Sequence, residues 1–358
     1  MVTPFVFQGS PQRVVFGSGT IAQAGAEAQR LGIRRPLVLA TPGHRAEAEA
    51  LAARLGEGAA IFAGARMHTP IEVTEEALAL ARGHGSDGTV AIGGGSTIGL
   101  GKAIALRTDF PQIAIPTTYA GSEMTDLLGE TDKGEKRTRR DPKIRPETVI
   151  YDVDLTLTLP TRLSANSGMN AIAHAVEGLY ARDGNPILRL MAEEGIRALA
   201  AALPLIVRDP RDRDARSDAL YGAWLCGTVL GGAEVALHHK LCHVLGGAFA
   251  LPHAETHAVI LPHAVAYNTE AVPDAMARAA RALGGNNAAE ALFDLALATG
   301  AATALRDIGM PEDGIERAAD LTISNPYWNP RPLERDAILT LLRDAWHGRR
   351  PRSPAVPV

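Results

Sequence analysis

The chain has 358 residues, 46% hydrophobic and 21% charged, with 36 Gly, 23 Pro and 4% aromatic residues, a globular composition of two-domain length that excludes disorder, collagen and coiled coil. The 36 Lys and Arg against 40 Asp and Glu leave a formal net charge of −4, too balanced for a protein that lives on phosphate backbones, so no nucleic-acid partner is expected. No apolar run approaches the ~18–20 residues of a membrane helix, and MVTPFVFQGS lacks the regions of a signal peptide; the expectation is a cytoplasmic protein with no membrane partner.

Up to about residue 155, short β-branched runs alternate with Ala-rich helical stretches. Pro36–Ala40, Ala59–Phe62, Thr89–Ile92, Ile113–Pro116 and Thr148–Asp152 read as strands. Glu47–Leu55, Glu72–Arg82 and Ile98–Leu106 carry apolar residues at helical spacing and are long enough for right-handed crossovers. That rhythm predicts an α/β domain with a Rossmann-like parallel sheet over residues 1–160. After Pro160 the strands cease, and Ile187–Val207, Ala215–Leu230, Ala275–Leu283, Ala288–Thr299 and Leu333–Trp346 read as helices of an all-α domain, 161–358. HGRRPRSPAVPV, after Trp346, reads as a loose terminus.

Gly93-Gly94-Gly95-Ser96 follows one predicted strand and opens a helix, which suits either a pyrophosphate approached by backbone N–H groups or a plain tight turn. A second polar turn, Pro116-Thr117-Thr118-Tyr119-Ala120-Gly121-Ser122-Glu123, also follows a strand, and two such loops at the carboxyl ends of parallel strands favour a nucleotide site. After the Pro36–Ala40 strand comes Thr41-Pro42-Gly43-His44-Arg45, without the acidic residue that would select NAD through the ribose; NADH and NADPH are both expected to serve, with Thr41 counted in the site. Between the later strands, KGEKRTRRDPKIR (Lys133 to Arg145) holds seven basic residues against two acidic ones, which reads as carboxylate capture or, with more weight, as a solvated surface hairpin.

Six of the eleven histidines, His238, His239, His243, His253, His257 and His263, lie within 26 residues, and His174 sits earlier in GMNAIAHAVEG. Asn170 and His174, His239 and His243, and His253 and His257 are each four apart, so each pair shares a helix face, which is ligand geometry for a catalytic or metal-binding site. His238 is expected to face elsewhere, and His257 and His263 are left between site and core. Cys226 and Cys242 sit in no C-x-x-C or zinc spacing, so free buried thiols are expected.

With GGGST, PTTYAGSE, Asn170-x-x-x-His174 and His239-x-x-x-His243 followed by Pro252-His253, the chain resembles the iron-containing, or group III, alcohol dehydrogenases over nearly its whole length. That resemblance implies the dehydroquinate synthase-like architecture: a dinucleotide-binding α/β domain, a helical domain, and a cleft between them for nicotinamide cofactor and substrate. It further implies a homodimer. In the metal-dependent members an Asp and three His bind a divalent metal; these map here onto Asn170, His174, His239 and His253, with His243 a neighbouring active-site histidine.

Two departures from the pattern are informative. Position 170 is Asn, so the only anionic ligand is gone and metal affinity should drop sharply. The family's usual Asp three residues past Ser96 is Gly99. GGGSTIGLGKAIALRT and GMNAIAHAVE resemble instead a branch of the family reported to work without metal, which reduces the carbon–carbon double bond of maleylacetate to give 3-oxoadipate in aromatic-ring degradation. The chemistry agrees, because hydride addition remote from a ketone builds charge on an enolate oxygen, which hydrogen-bond donors can hold, whereas an alkoxide calls for a Lewis acid. The expectation is an oxidoreductase using NADH or NADPH on a small dicarboxylate, with His174, His239, His243 and His253 catalytic, Gly93, Gly94, Gly95, Ser96, Thr117, Thr118 and Thr41 on the cofactor, and metal absent. The alternative is a metal-dependent alcohol or polyol dehydrogenase that tolerates Asn170.

Overall fold

Short β-branched runs pair here as a six-stranded parallel sheet in the order β1-β8-β5-β4-β2-β3, in a computed structural model that describes residues 5–132 and 135–351. The strands are β1 (Arg13–Gly17), β2 (Pro36–Leu39), β3 (Ala60–Phe62), β4 (Gly88–Gly93), β5 (Gln112–Pro116) and β8 (Thr148–Asp152), and β6 (Leu127–Asp132) with β7 (Glu135–Arg140) forms a separate antiparallel hairpin. Crossovers are made by α1 (Ala24–Arg30), α2 (Arg45–Leu55), α3 (Ile71–His84) and α4 (Gly95–Thr108).

Alternation along each strand sorts its side chains to two faces. Val38, Val90, Ile92, Ile113 and Ile115 pack with α1 and α2 residues such as Ala28, Ala48 and Leu51. Leu37, Leu39 and Ala91 turn the other way, onto Val73, Ala77, Leu100 and Ile104 of α3 and α4. A sheet buried on both faces is the doubly wound arrangement, and its ligand crevice falls where successive crossovers leave in opposite directions. Here that point is between β2 and β4.

The chain divides into two compact units, residues 8–159 and residues 160–358 grouped with the first seven. The second unit holds α5 (Thr161–Tyr180), α6 (Pro186–Arg208), α7 (Arg213–Gly232), α8 (Leu237–Phe249), α9 (His253–Asn268), α10 (Pro273–Ala282), α11 (Ala288–Thr299), α12 (Gly314–Ser324) and α13 (Arg335–His347). Its centre is α5, buried from Ser164 to Tyr180 and enclosed by α6, α7, α9, α10 and α11. Leu237, Leu241 and Leu245 recur every fourth residue along α8 and enter a core shared with Val259 and Ile260 of α9, Ile315 and Ala318 of α12, and Ile338 and Leu342 of α13. That stripe turns His239 and His243 to another side of α8.

Three expectations need correction or completion. β1 was missed, because RVVFG is a five-residue edge strand paired only with β8. The basic run forms the solvated hairpin: Arg140 and Arg145 both pair with Asp126 at 3.0 Å, and Arg107 of α4 reaches Glu130 at 2.9 Å. Lys133 and Gly134 of that run lie outside the described residues, as does the expected loose terminus from residue 352 onward. The terminus is not loose at its start, since Arg350 bonds Glu290 and Asp294 of α11 at 2.7 Å each. Among the described residues no single helix is long and apolar enough to cross a membrane.

Candidate active site

In the α/β unit, the loops after β2, β4 and β5 share one end of the sheet, because these strands are neighbours and parallel. Gly93 closes β4 at φ +149°, a conformation side chains rarely adopt, and a Cβ there would lie 2.5 Å from Thr97 Oγ1. A Cβ on Gly94 would meet the Thr118 methyl and hydroxyl at 3.1 and 3.3 Å, so the two polar loops touch across a gap only glycine leaves open. The Thr117 amide donates to the Gly93 carbonyl at 3.0 Å and locks them together. No side chain caps α4, whose first turn begins at Gly95 and Ser96 and leaves its N–H groups for an anion. Thr41 opens the loop after β2, its hydroxyl 2.9 Å from His44 Nδ1. At Gly99 a Cβ would come 2.6 Å from Thr69 Oγ1, so a side chain there requires Thr69 to move.

Beneath these loops lies a residue that sequence reasoning did not single out. Lys102 is wholly buried, and its ammonium donates to the Ser122 carbonyl and hydroxyl, to Thr125 Oγ1 at 2.8 Å and to the Leu127 carbonyl at 2.9 Å. It staples the turn after β5 to α4, and burial brings its pKa down to about 7.

In the helical unit, Asn170, His174 and Glu177 occupy one stripe of α5, at i, i+4 and i+7. Glu177 is 1% exposed and faces the start of α8, a helix without a cap of its own. Its Oε2 accepts the Ala236 N–H and its Oε1 the His238 N–H, both at 2.7 Å, so a carboxylate from α5 satisfies the first turn of α8 and meets its dipole. Oε2 also accepts from His239 Nδ1 at 2.7 Å. A carboxylate only accepts, so Nδ1 of His239 carries a proton and its Nε2 is turned away from Glu177.

The ring nitrogens of His174, His239 and His257 come within 4.8 Å of one another, all three buried. Four buried polar atoms around them have no partner: Asn170 Oδ1, His174 Nδ1, His239 Nε2 and His257 Nε2. Burial, reinforced by neighbouring imidazoles, holds His174 and His257 well below the ordinary histidine range, so these rings are neutral. His253, expected as the fourth member, begins α9 and is exposed; its ring centroid is 4.3 Å from that of His257. His257, left open by the sequence, is therefore inside the cluster, while His263 packs on Phe293 in the core. His238 does not face elsewhere: α9 encloses that side of α8, and His238 Nε2 lies 3.0 Å from His257 Nδ1 and 3.7 Å from Cys242 Sγ. Both cysteines are free and buried.

Half-buried His243, one turn along α8 from His239, has Nδ1 2.9 Å from the Tyr327 hydroxyl. Tyr327 lines a shallow depression with Ile323, Asn329 and Arg331, and the Lys240 ammonium stands 5.5 Å from the centre of its ring. Burial raises the Tyr327 hydroxyl above its usual range and lowers Lys240 below its own. Of these residues only Glu177 left a signal in the sequence, its i+7 spacing from Asn170; Tyr327 is 84 residues from His243 and left none.

Three convergent imidazoles with an orphaned amide oxygen fit a divalent ion of the zinc class, and among the described residues no carboxylate joins them, because Glu177 is engaged behind His239. The expected set of Asn170, His174, His239 and His253 had the same composition, and the structure brings His257 to the place expected of His253, so the expectation of an absent metal gains no support here.

Family models match both units: iron-containing alcohol dehydrogenase over residues 11–153, and the C-terminal part of the Fe-containing alcohol dehydrogenase family over 164–346. The maleylacetate reductase of Burkholderia cepacia is 58% identical over 348 residues, covering 97% of this chain and 99% of that protein. The crystal structure of maleylacetate reductase from Rhizobium sp. strain MTP-10005 superposes with a TM-score of 0.93 at 55% identity, covering 97% and 99% of the two chains. A putative alcohol dehydrogenase from Ralstonia eutropha JMP134 gives a TM-score of 0.96 at 60% identity, over 98% and 100%. The chain belongs to the iron-containing alcohol dehydrogenase family, and it is an oxidoreductase.

Proposed function

From that membership we propose that the chain is an NAD(P)H-dependent maleylacetate reductase, reducing the carbon–carbon double bond of maleylacetate to give 3-oxoadipate. The observation that carries the substrate is the 58% identity to a maleylacetate reductase along nearly the whole of both chains. The nicotinamide cofactor is assigned to Gly93, Gly94, Gly95, Ser96, Thr117, Thr118 and Thr41, and the loop carrying Thr41 has no acidic residue to reject a 2′-phosphate, which supports use of both NADH and NADPH. Placement in aromatic-ring degradation, in the cytoplasm and as a homodimer completes the proposal.

When bound, the cofactor would supply hydride to the alkene carbon remote from the ketone, which would leave negative charge on the ketone oxygen as an enolate until a proton closes the adjacent carbon. His243 is the residue best suited to meet that oxygen. With the Tyr327 hydroxyl 2.9 Å from Nδ1, the tautomer in which Tyr327 donates to Nδ1 would put the ring proton on Nε2, a donor for developing negative charge. His253, exposed at the start of α9, is the second accessible imidazole and serves as proton donor, directly or through water. His174, His239 and His257, with Asn170, would hold a divalent metal, and when bound it would polarise a substrate oxygen as a Lewis acid. The proposed reduction does not require it, since an enolate is weakly basic enough for N–H donors.

NADH deuterated at the transferred position tests the reading. Deuterium should appear in 3-oxoadipate at the former alkene carbon beside the carboxylate; deuterium on a carbinol carbon would instead establish the metal-dependent alcohol dehydrogenase alternative.

A further inference from the structure

Two lysines have most of their side chain covered, and their surroundings differ in kind. Lys102, at 0% exposure, is ringed by oxygen acceptors. Lys240, at 8% exposure, has neither a hydrogen-bond acceptor nor a carboxylate for its ammonium among the described residues. Its one recorded contact is the face of the Tyr327 ring, 5.5 Å from Nζ to the centroid. Its stem is covered by the fold while Nζ keeps contact with solvent, since it is not one of the buried polar atoms left without a partner. Arg331, which lines the depression beside Tyr327, already donates to the Tyr267 carbonyl at 3.1 Å and stacks on that ring at 4.1 Å. Lys240 thus holds its cation beside Tyr327, uncommitted to any protein acceptor among the described residues and open to an anion from solution.

Its position says which anion. Lys240 follows His239 in α8 and precedes His243 by three residues, and its neighbour Tyr327 is the residue that holds His243. An anion at Lys240 therefore sits beside the imidazole assigned to the ketone oxygen, and a short keto dicarboxylate carries both groups a few bonds apart. We propose that Lys240 binds one carboxylate of the substrate and so selects dicarboxylates, an inference that rests on the reading of the site as a maleylacetate reductase.

The test replaces Lys240 with Met, Gln and Arg in the full-length protein and follows two readouts. In steady-state kinetics, Lys240→Met and Lys240→Gln should raise the KM for maleylacetate by about 30-fold or more, as expected for a desolvated charge pair losing one partner, with the KM for NADH unchanged and Lys240→Arg retaining most of the affinity. In calorimetry, 3-oxoadipate should bind the unmutated protein and the Arg variant and lose affinity for the other two by a similar factor. A KM for maleylacetate within about threefold of the parent in both neutral variants, or a parallel rise in the KM for NADH, overturns the assignment. Should the unmutated protein not turn over maleylacetate, the reading of the site fails separately, and calorimetry still decides Lys240: 3-oxoadipate binding that is indifferent to Lys240, or absent from the parent, refutes it.

Discussion

Glu177→Gln keeps the shape of the side chain and removes its charge, and the structure allows the cost to be worked out. The carboxylate serves three donors at 2.7 Å: the Ala236 and His238 N–H groups and His239 Nδ1. A glutamine can turn its oxygen toward Ala236 and His239, but its NH2 then opposes the His238 N–H; the reverse turn opposes the other two. The cheaper choice leaves one buried donor unsatisfied, at about 1–3 kcal/mol, and strips charge assistance from the remaining bonds. A total of about 3 kcal/mol is expected, which for a unit of this size lowers Tm by about 6–12 °C. Glu177→Ala, orphaning all three donors, should fall further than Glu177→Gln. Differential scanning calorimetry measures the ordering, and hydrogen exchange at the Ala236 and His238 amides localises it to the start of α8. A Gln variant melting within about 2 °C of the parent, with both amides still protected, would refute the view that this carboxylate caps α8 and fixes His239.

His243→Ala should lower kcat by about 10²–10⁴-fold while NADH fluorescence titration shows cofactor binding intact; loss of cofactor binding would place His243 in another role. Gly93→Ala puts a Cβ 2.5 Å from Thr97 Oγ1 at a backbone φ of +149°, so NADH affinity should fall by at least about tenfold through distortion of the loop. Burial lowers the pKa of His263 from 6.5 to about 4, so between those values the unfolded chain takes up a proton that the folded one refuses. Stability from this residue is therefore fully present above about pH 6.5 and is lost by up to about 3 kcal/mol as pH falls toward 4; His263→Leu should flatten that part of the acid denaturation profile, and an unchanged profile would count against the burial argument.

How far the sequence carries can be seen residue by residue. The parallel sheet was legible because Leu37, Val38 and Leu39 and their counterparts in β4 and β5 are apolar on both faces, a pattern only a doubly covered strand tolerates. The glycine loop was legible as a ligand turn, and its closeness to Thr118 became visible only with β4 and β5 paired. The i,i+4 histidine pairs marked the right helices, since that spacing is local. Which of His253 and His257 joins His174 and His239 depends on how the first turn of α9 meets α8, which one sequence does not encode locally. The same holds for Tyr327 on His243 and for Lys240, whose place against the Tyr327 ring joins segments distant in the chain.

The central claim is reduction of an enone without a required metal, and the most direct test is the rate of NADH oxidation with maleylacetate, made fresh from hydroxyquinol by ring cleavage, with and without a strong chelator. The account predicts a fast rate that the chelator leaves intact, with 3-oxoadipate as product. A rate abolished by the chelator and restored by a divalent metal would contradict it and make His174, His239 and His257 working ligands, and no rate at all would remove maleylacetate as the substrate.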